Sequence, residues 1–528
     1  MPKSLSRRAL LAAAAPAAAA AVAAPALLPR LVRAQSDDRP SLRIAVQALP
    51  PTLEPLESIS NVGLRLTYNV FDTLLRRDFL AEAKGEGGGS SLVPHLATSL
   101  RQRDPLTWEA ALRPGVRLQD GGELTADDVL STFSAERMWG PQVQAFEGKV
   151  NFGHLAGVDA VDRYTVLLRT RSPDVAMPHR LAAYGGWIHS AKACAAGGLE
   201  GMRKQPVGSG PYRHASFARD QRVVLDSHDD YWMGRPPAKQ IIFSVVPEAS
   251  TRLAGLQAGD FDLVTNLLPE QAESLAGHPK LEGVDVPLDF AHILYYDTRR
   301  PVLRDVRVRR ALNHAVDCDL LGRSLWGPGY RRMAALQVPA FGALYDAGRQ
   351  GFEHDPARAR QLLREAGYGG EEIVIRIAPA YYLQMLQAVQ IVQQMWLAVG
   401  VNSRIETREN LSLLAQPGAD VRPTSIAFRF PDPLGGGLMV HLSRDYFLQK
   451  QGFWQPDRFN AISDALATAT DRDERRRLWL ALLDEYEAEA PALILYPVRE
   501  YFAKRRNIRW THYPLYYMDF RGYNLGFA

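Results

Sequence analysis

Downstream of Asp305 the sequence alternates between two apolar periods, and a chain that alternates in this way is confined to a mixed α/β fold. Val308, Ala311, Leu312 and Ala315 recur at helical spacing behind Asp305, a side chain suited to capping a first turn. Leu362, Leu363 and Ala366 do the same between Asp355-Pro356, an N-cap with proline in the first turn, and the helix-stopping Gly367. Met385, Val389, Val392, Trp396 and Val399 form a third stripe ended by Gly400, and the alternating residues 401–405 then read as a strand. Residues 471–489 read as a long helix with Leu478, Leu482 and Tyr486 inward, followed by a buried strand over 492–496. Nearer the start, Leu42 to Val46 reads as a strand closed by Pro50-Pro51. The stretch from Thr107 to Leu118 reads as strand, turn at Pro114-Gly115, strand. Thr125 and Asp128 have the spacing of a capping box, and the Gly-rich residues 81–91 read as a surface loop.

The 528-residue chain opens with Lys3, Ser6, Arg7 and Arg8 and runs into an alanine-rich apolar stretch from Ala9 to Leu28 broken by Pro16 and Pro25. That order is expected of a cleavable leader rather than a membrane anchor. Ser6-Arg7-Arg8-Ala9-Leu10-Leu11 resembles the twin-arginine export signal, Val32-Arg33-Ala34 suits cleavage before Gln35, and no cysteine follows to carry a lipid. The expected location is therefore the periplasm. Five of the 62 basic residues lie in this leader and none of the 58 acids does, so the mature chain carries a net charge of −1. A nearly neutral body removes the electrostatic case for nucleic acid. Roughly 490 remaining residues exceed what one apolar core holds, which stops growing near 250–300 residues, so two or more lobes are expected. With no internal repeat and no low-complexity linker, the lobes are expected to be interleaved.

The sequence carries no His-Glu-x-x-His, no Gly-x-Ser-x-Gly, no Walker loop and no complete Gly-x-Gly-x-x-Gly. Gly208-Ser209-Gly210-Pro211 reads as a tight turn, and His228-Asp229-Asp230 as a solvated loop rather than a metal site. Cys194 and Cys318 are read as two buried free thiols, although an oxidising compartment would allow them to pair. No enzyme activity, cofactor or metal is expected.

Several motifs, in order, resemble a known family: Asn69-Val70-Phe71-Asp72-Thr73-Leu74-Leu75; Pro94-His95-Leu96-Ala97; Leu112 to Val116 with Asp120-Gly121 and Leu124 to Val129; Pro206 to Tyr212; Asp230-Tyr231-Trp232; Ala258 to Leu263; Asp305 to Leu312; Asp355-Pro356 through Tyr368; and Glu489-Ala490-Pro491. The chain resembles, over nearly all of its mature length, the extracytoplasmic solute-binding proteins of ABC importers, family 5, the peptide/nickel-binding type. The resemblance implies an α/β, two-lobed periplasmic binding protein of the large type II-like class, with hinge-linked lobes around a ligand cleft. It implies lobe I from 41–71, 207–288 and 496–528, an inserted subdomain at 72–206, and lobe II at 289–495, after a leader at 1–34. The implied activity is capture of a peptide or peptide-like solute for an ABC permease in the inner membrane, by a monomer. A non-peptide solute (an anionic small molecule, opine, glutathione, haem or nickel chelate) stays open, as do a periplasmic chaperone and an exported enzyme.

The residues expected to contact ligand are Tyr184 and Trp187 in the inserted region, Tyr295 and Tyr296 at the lobe crossing, Tyr381 and Tyr382 before the Met385 helix, and Arg429, Phe430 and Asp432. Aromatic side chains offer broad rigid surfaces with a polar tip. Peptide-binding members commonly place an acidic residue just before the Pro-Asp-Pro-like turn, where it can pair with a peptide's amino terminus. In this chain that place holds Arg429, which favours an anionic group; a register slip of three residues would hand the acid role to Asp432.

Overall fold

Leu42 and Ile44 are fully buried and alternate with half-buried Ser41 and Arg43, as the period of a strand requires. In the structure, a computed structural model that describes residues 37–83, 92–140, 146–327, 329–379, 382–409, 413–414, 416–441, 449, 452–454 and 456–528, this segment lies inside a ten-stranded mixed sheet. The leader lies outside the described residues, as do Tyr381 and residues 84–91 of the Gly-rich loop.

The strands that organise the chain are β1 (Ser41–Val46), β2 (Ala97–Asp104), β3 (Thr107–Leu112), β4 (Leu155–Asp162), β5 (Thr165–Thr170), β6 (Tyr212–Ala218), β7 (Arg222–Ser227), β8 (Gln240–Val245), β9 (Leu263–Val264), β10 (Leu281–Tyr296), β11 (Ile373–Ile377), β12 (Ser403–Thr407), β13 (Val421–Ala427) and β14 (Ala492–Arg505). The large sheet runs β12-β11-β13-β10-β14-β9-β1-β8-β7-β6. At one end β1 pairs in parallel with β8 and β9, and at the other β11 pairs in parallel with β12 and β13. The two ends are joined by β10 and β14, sixteen and fourteen residues long, which run antiparallel to each other through both halves. Their register breaks between Pro287 and Ala291. A separate four-stranded antiparallel sheet, β2-β3-β5-β4, has its own core of Ala110, Leu112, Val166 and Leu168, capped by Phe152 and Val129. Three further cores pack around the large sheet, centred on Trp396, on Phe243 with Phe520, and on Trp479 with Phe428. That number agrees with the expectation that one core could not hold a chain of this length.

The helix signals correspond to side chains that cap. Asp305, Asp355 and Asp471 each accept a backbone N–H in the first turn of the helix that follows, and Gly367 ends its helix at φ 71°. The Thr125 N–H donates to the Asp128 carboxylate at 2.8 Å, one half of the expected capping box. Four expectations need correction. The strand expected over 492–496 continues to Arg505, because Pro497 falls at the register break, where the ladder tolerates a residue with no N–H. Residues 113–118 form a single bridge, Arg117 to Glu123, in place of a second strand, since the chain reverses at once at Gly121, φ 81°. Gly208 and Gly210 are required by close approach: a Cβ on Gly210 would stand 2.5 Å from the Asn69 carbonyl oxygen. His228 is buried, with Nδ1 3.2 Å from the Gly210 carbonyl, and so departs from the expected solvated loop, whereas Asp229 and Asp230 stay exposed, Asp229 pairing with Arg39 and Arg235 at 2.8 Å each. Cys194 and Cys318 are unpaired and partly exposed, not fully buried. No helix among the described residues is long and apolar enough to cross a membrane.

Candidate functional site

A buried arginine must face an acceptor, and Arg429, just past the end of β13, faces a carboxylate from a distant part of the chain. Its Nε and Nη2 donate to the two carboxylate oxygens of Glu147 at 3.1 and 2.6 Å, and the Asn151 amide donates to the same carboxylate at 3.1 Å. Glu147 and Asn151 belong to α1 (Phe146–Phe152), which packs with the small sheet. The guanidinium carbon lies 5.4 Å from the centre of the Tyr184 ring, and burial raises the Tyr184 phenol well above its ordinary value, so it stays protonated. The Tyr184 backbone N–H donates to the Tyr517 hydroxyl at 3.1 Å, and Tyr517 stacks on Tyr68 with centroids 4.2 Å apart. Trp187 stands edge-on to Tyr517 at 6.5 Å. Phe430 stacks on His179 at 5.8 Å and 8°, with Arg180 5.6 Å from its ring. Burial pushes His179 down to about 4, against the opposing pull of Asp432, so it is neutral near pH 7.

Arg429, Phe430, His179 and Tyr517 help to wall a cavity of about 10 Å³ drawn from five stretches of chain: Arg77 and Phe79, Leu92, His179 with Ala182 and Ala183, Arg429 and Phe430, and Leu515 and Tyr517. A volume of that size admits at most one water. A larger cavity of about 680 Å³ lies elsewhere, walled by residues between Glu54 and Glu57, between Ser131 and Arg137, and between Ala191 and Arg203. The smaller one is taken as the candidate because Arg429 and Phe430, both expected at a site, lie in its wall.

Of the residues expected at a site, Tyr184, Trp187, Arg429 and Phe430 are therefore brought together. Asp432 lies close by, but its carboxylate is held by Arg475 at 2.7 and 2.8 Å and accepts the Leu434 N–H at 2.9 Å, so it shapes the turn that carries Arg429. Tyr295 shares a core with Phe430 but packs against Phe453 at 5.7 Å; Tyr296 is deeply buried and donates to Asn313 at 2.8 Å; Tyr382 packs on His292 at 4.7 Å and accepts the Ser425 N–H. None of the three lines the Arg429 cavity, and Tyr381 lies outside the described residues. Glu147, Asn151, His179 and Tyr517 were not anticipated. For Tyr517 the density of aromatics between Trp510 and Phe520 was an available signal; for Glu147 none was, because its partner stands 282 residues away.

Residues 91–439 match the family model described as "Bacterial extracellular solute-binding proteins, family 5 Middle". The chain belongs to this family. Among curated relatives it is 30% identical over 350 residues to Heme-binding protein A of Haemophilus influenzae, covering 61% of this chain and 63% of that one. To the Dipeptide-binding protein of Escherichia coli it is 27% identical over 348 residues, covering 61% and 64%. The chain thus spans somewhat less than two thirds of the length of these two family 5 relatives. The dipeptide binding protein of Pseudoalteromonas sp. SM9913, solved with Met-Leu, superposes with a TM-score of 0.81 at 20% identity, over 92% of this chain and all of that one. Like it, this family 5 chain has the two-lobed α/β fold expected from the sequence.

Proposed function

We propose that this family 5 chain is a periplasmic receptor of an ABC importer that captures a peptide or peptide-like solute between two lobes and hands it to the inner-membrane permease. The observation that carries this reading is the Arg429 cavity, built by residues from chain segments that meet only in the folded state and too small to admit a solute while shut. Contacts to both lobes exist only in the closed form, so a solute that makes them shifts the hinge equilibrium towards closure, and the permease reads that shape. Lobe I comprises 41–71, 207–288 and 496–528, the inserted subdomain 72–206, and lobe II 289–495. The register break at Pro287 to Ala291 supports a hinge at that boundary. The chain acts as a monomer without enzyme activity, and it reaches the periplasm by the twin-arginine route, losing its leader near Ala34/Gln35.

The position of Arg429 favours a solute with an anionic group, whether a peptide carboxylate or the acid of a small non-peptide molecule. Arg429→Ala is expected to weaken binding of the solute recovered from the native protein by tenfold or more, measured by titration calorimetry. An unchanged affinity would exclude Arg429 from the contact.

A further inference from the structure

The cavity of about 680 Å³ falls in the size range of small-molecule sites, and Cys194 stands in its wall. One flank is the helix Ala191–Lys204, whose Ala191, Cys194, Ala195, Gly198 and Leu199 recur three and four residues apart and so share a face. That face is half-buried to exposed, and a Cβ added at Gly198 would meet nothing within 4 Å, so a small molecule reaches it through open space. Cys194 also packs against the Phe243 core, which fixes its place on the helix face.

The remaining wall carries a buried cation with a donor to spare. The Arg137 side chain is 10% exposed, and its Nη2 meets the Glu54 Oε1 at 2.5 Å as an ion pair that is out of line for a hydrogen bond. Its Nε has no hydrogen-bond partner among the described residues. A buried guanidinium N–H without an acceptor is costly, and the planar fork matches a carboxylate. Glu54 does not depend on the pair alone, because its Oε2 accepts the N–H groups of Leu56 and Glu57 at 2.8 and 2.9 Å. Arg137 can therefore take a second carboxylate while Glu54 stays satisfied. Of the other acids in the wall, Glu57 is bonded by Arg203 at 2.7 Å, and Glu136 is exposed, where solvent and salt screen its charge.

We infer that this cleft is a modification site at which Cys194 forms a mixed disulfide with a small carboxylate-bearing thiol, the carboxylate resting on Arg137. The co-reactant is the disulfide of that thiol. The Cys194 thiol gives its proton to water, and its sulfur attacks one sulfur of the small disulfide. The new S–S bond forms as the old one breaks, so Cys194 is oxidised while the departing half is reduced, leaves as a thiolate and takes up a proton. Cys318 fails the same criteria. It stands in the wall of a cavity of about 20 Å³, its thiol donates to the Ile494 carbonyl at 3.3 Å, and burial pushes it up to about 12, so it keeps its proton near neutrality. The site is separate from the Arg429 cavity and does not depend on the receptor reading.

The test incubates the folded full chain with dithiodipropionate, a dicarboxylate disulfide, or with neutral hydroxyethyl disulfide, and follows adducts by intact mass and peptide mapping. Each rate is divided by that of the same probe with a free cysteine peptide. Wild type is expected to gain one adduct, at Cys194 and reversed by dithiothreitol, with the carboxylate probe favoured roughly tenfold, as one charge-assisted hydrogen bond supplies. Arg137→Gln should erase that preference while the neutral probe still reacts. Ala195→Trp, which fills the exposed side of the cleft and leaves the Arg137–Glu54 pair in place, should slow both probes about tenfold by closing access. It decides the matter should melting curves show that Arg137→Gln does not fold. No adduct at Cys194, an adduct at Cys318 ahead of it, equal normalised rates for the two probes, a folded Arg137→Gln protein that keeps the preference, or a folded Ala195→Trp protein that reacts as wild type would overturn the inference.

Discussion

Replacing Arg521 by methionine is expected to remove roughly 3–5 kcal/mol of unfolding free energy, the cost of stranding buried carboxylates by taking away their cation. Arg521 is 2% exposed, and Asp72 and Asp519 are fully buried beside it. Its guanidinium donates to Asp72 at 2.5 Å, to Asp519 at 3.0 Å, to the Tyr231 hydroxyl at 2.9 Å and to the Tyr68 carbonyl at 3.1 Å. Asp72 also accepts from Trp232 at 3.0 Å and from Ser209 at 3.1 Å. Four stretches of chain thus converge on one charge network, and it ties the C-terminal segment to the helix that precedes Asp72. The Arg521 cation helps hold Asp72 and Asp519 below the ordinary carboxylate value against the opposing pull of burial, so both remain ionised and both lose their partner in the variant. Chemical denaturation of wild type and variant measures the difference. A loss under 1 kcal/mol would show that the network is not what secures this junction.

Acidification from pH 7 to 5.5 is expected to cost on the order of 5 kcal/mol of stability through buried histidines alone. Burial pushes His95 and His179 down to about 4 and His292 down to about 3, and lowers His189 and His512 well below their ordinary value. The sign follows from the depressed folded values. As pH falls through about 6.5 the unfolded chain takes up a proton on each histidine and the native chain does not, so stability is intact above that point and declines below it, by roughly 1 kcal/mol per histidine over this range. Glu500 opposes the trend: burial raises it to about 7, so the native state gains a proton there first and recovers part of the loss. His292→Phe isolates one contribution, because the ring sits between Tyr382 and Tyr496 at 4.7 and 5.4 Å and neither nitrogen has a hydrogen-bond partner among the described residues. Urea midpoints of wild type should fall steeply between pH 7 and 5.5, and the variant's less so by one histidine's share. Flat midpoints in wild type would contradict the argument.

Much of the architecture was legible because it is set by local chemistry. Asp305, Asp355, Asp471 and Gly367 mark helix ends through bonds and backbone angles that lie within a few residues. The extent of β14 was not legible, since proline normally ends a buried strand and only the register break opposite Ala291 accommodates Pro497. The family motifs were legible for a reason that the structure makes plain: Asp72, Tyr231 and Trp232 meet in the network around Arg521, so they secure the scaffold and do not line the Arg429 cavity. The candidate site was legible in part. Aromatic content selected Tyr184 and Trp187, which stand beside the Arg429 cluster, but it selected Tyr295, Tyr296 and Tyr382 equally; Tyr296 and Tyr382 pack in a different core, and Tyr295 packs against Phe453. What distinguishes the two groups is three-dimensional proximity to Arg429 and Glu147, which no period or motif encodes.

The central claim is that this family 5 chain holds a small solute between its lobes. Native mass spectrometry of the protein recovered from the periplasm of its own cells tests it most directly. The account predicts a non-covalently bound mass in the range of an amino acid to a short peptide, released on denaturation and reduced at least tenfold in Arg429→Ala. A chain that emerges from the periplasm as the bare protein, with no small molecule in the denatured extract of either form, would contradict it.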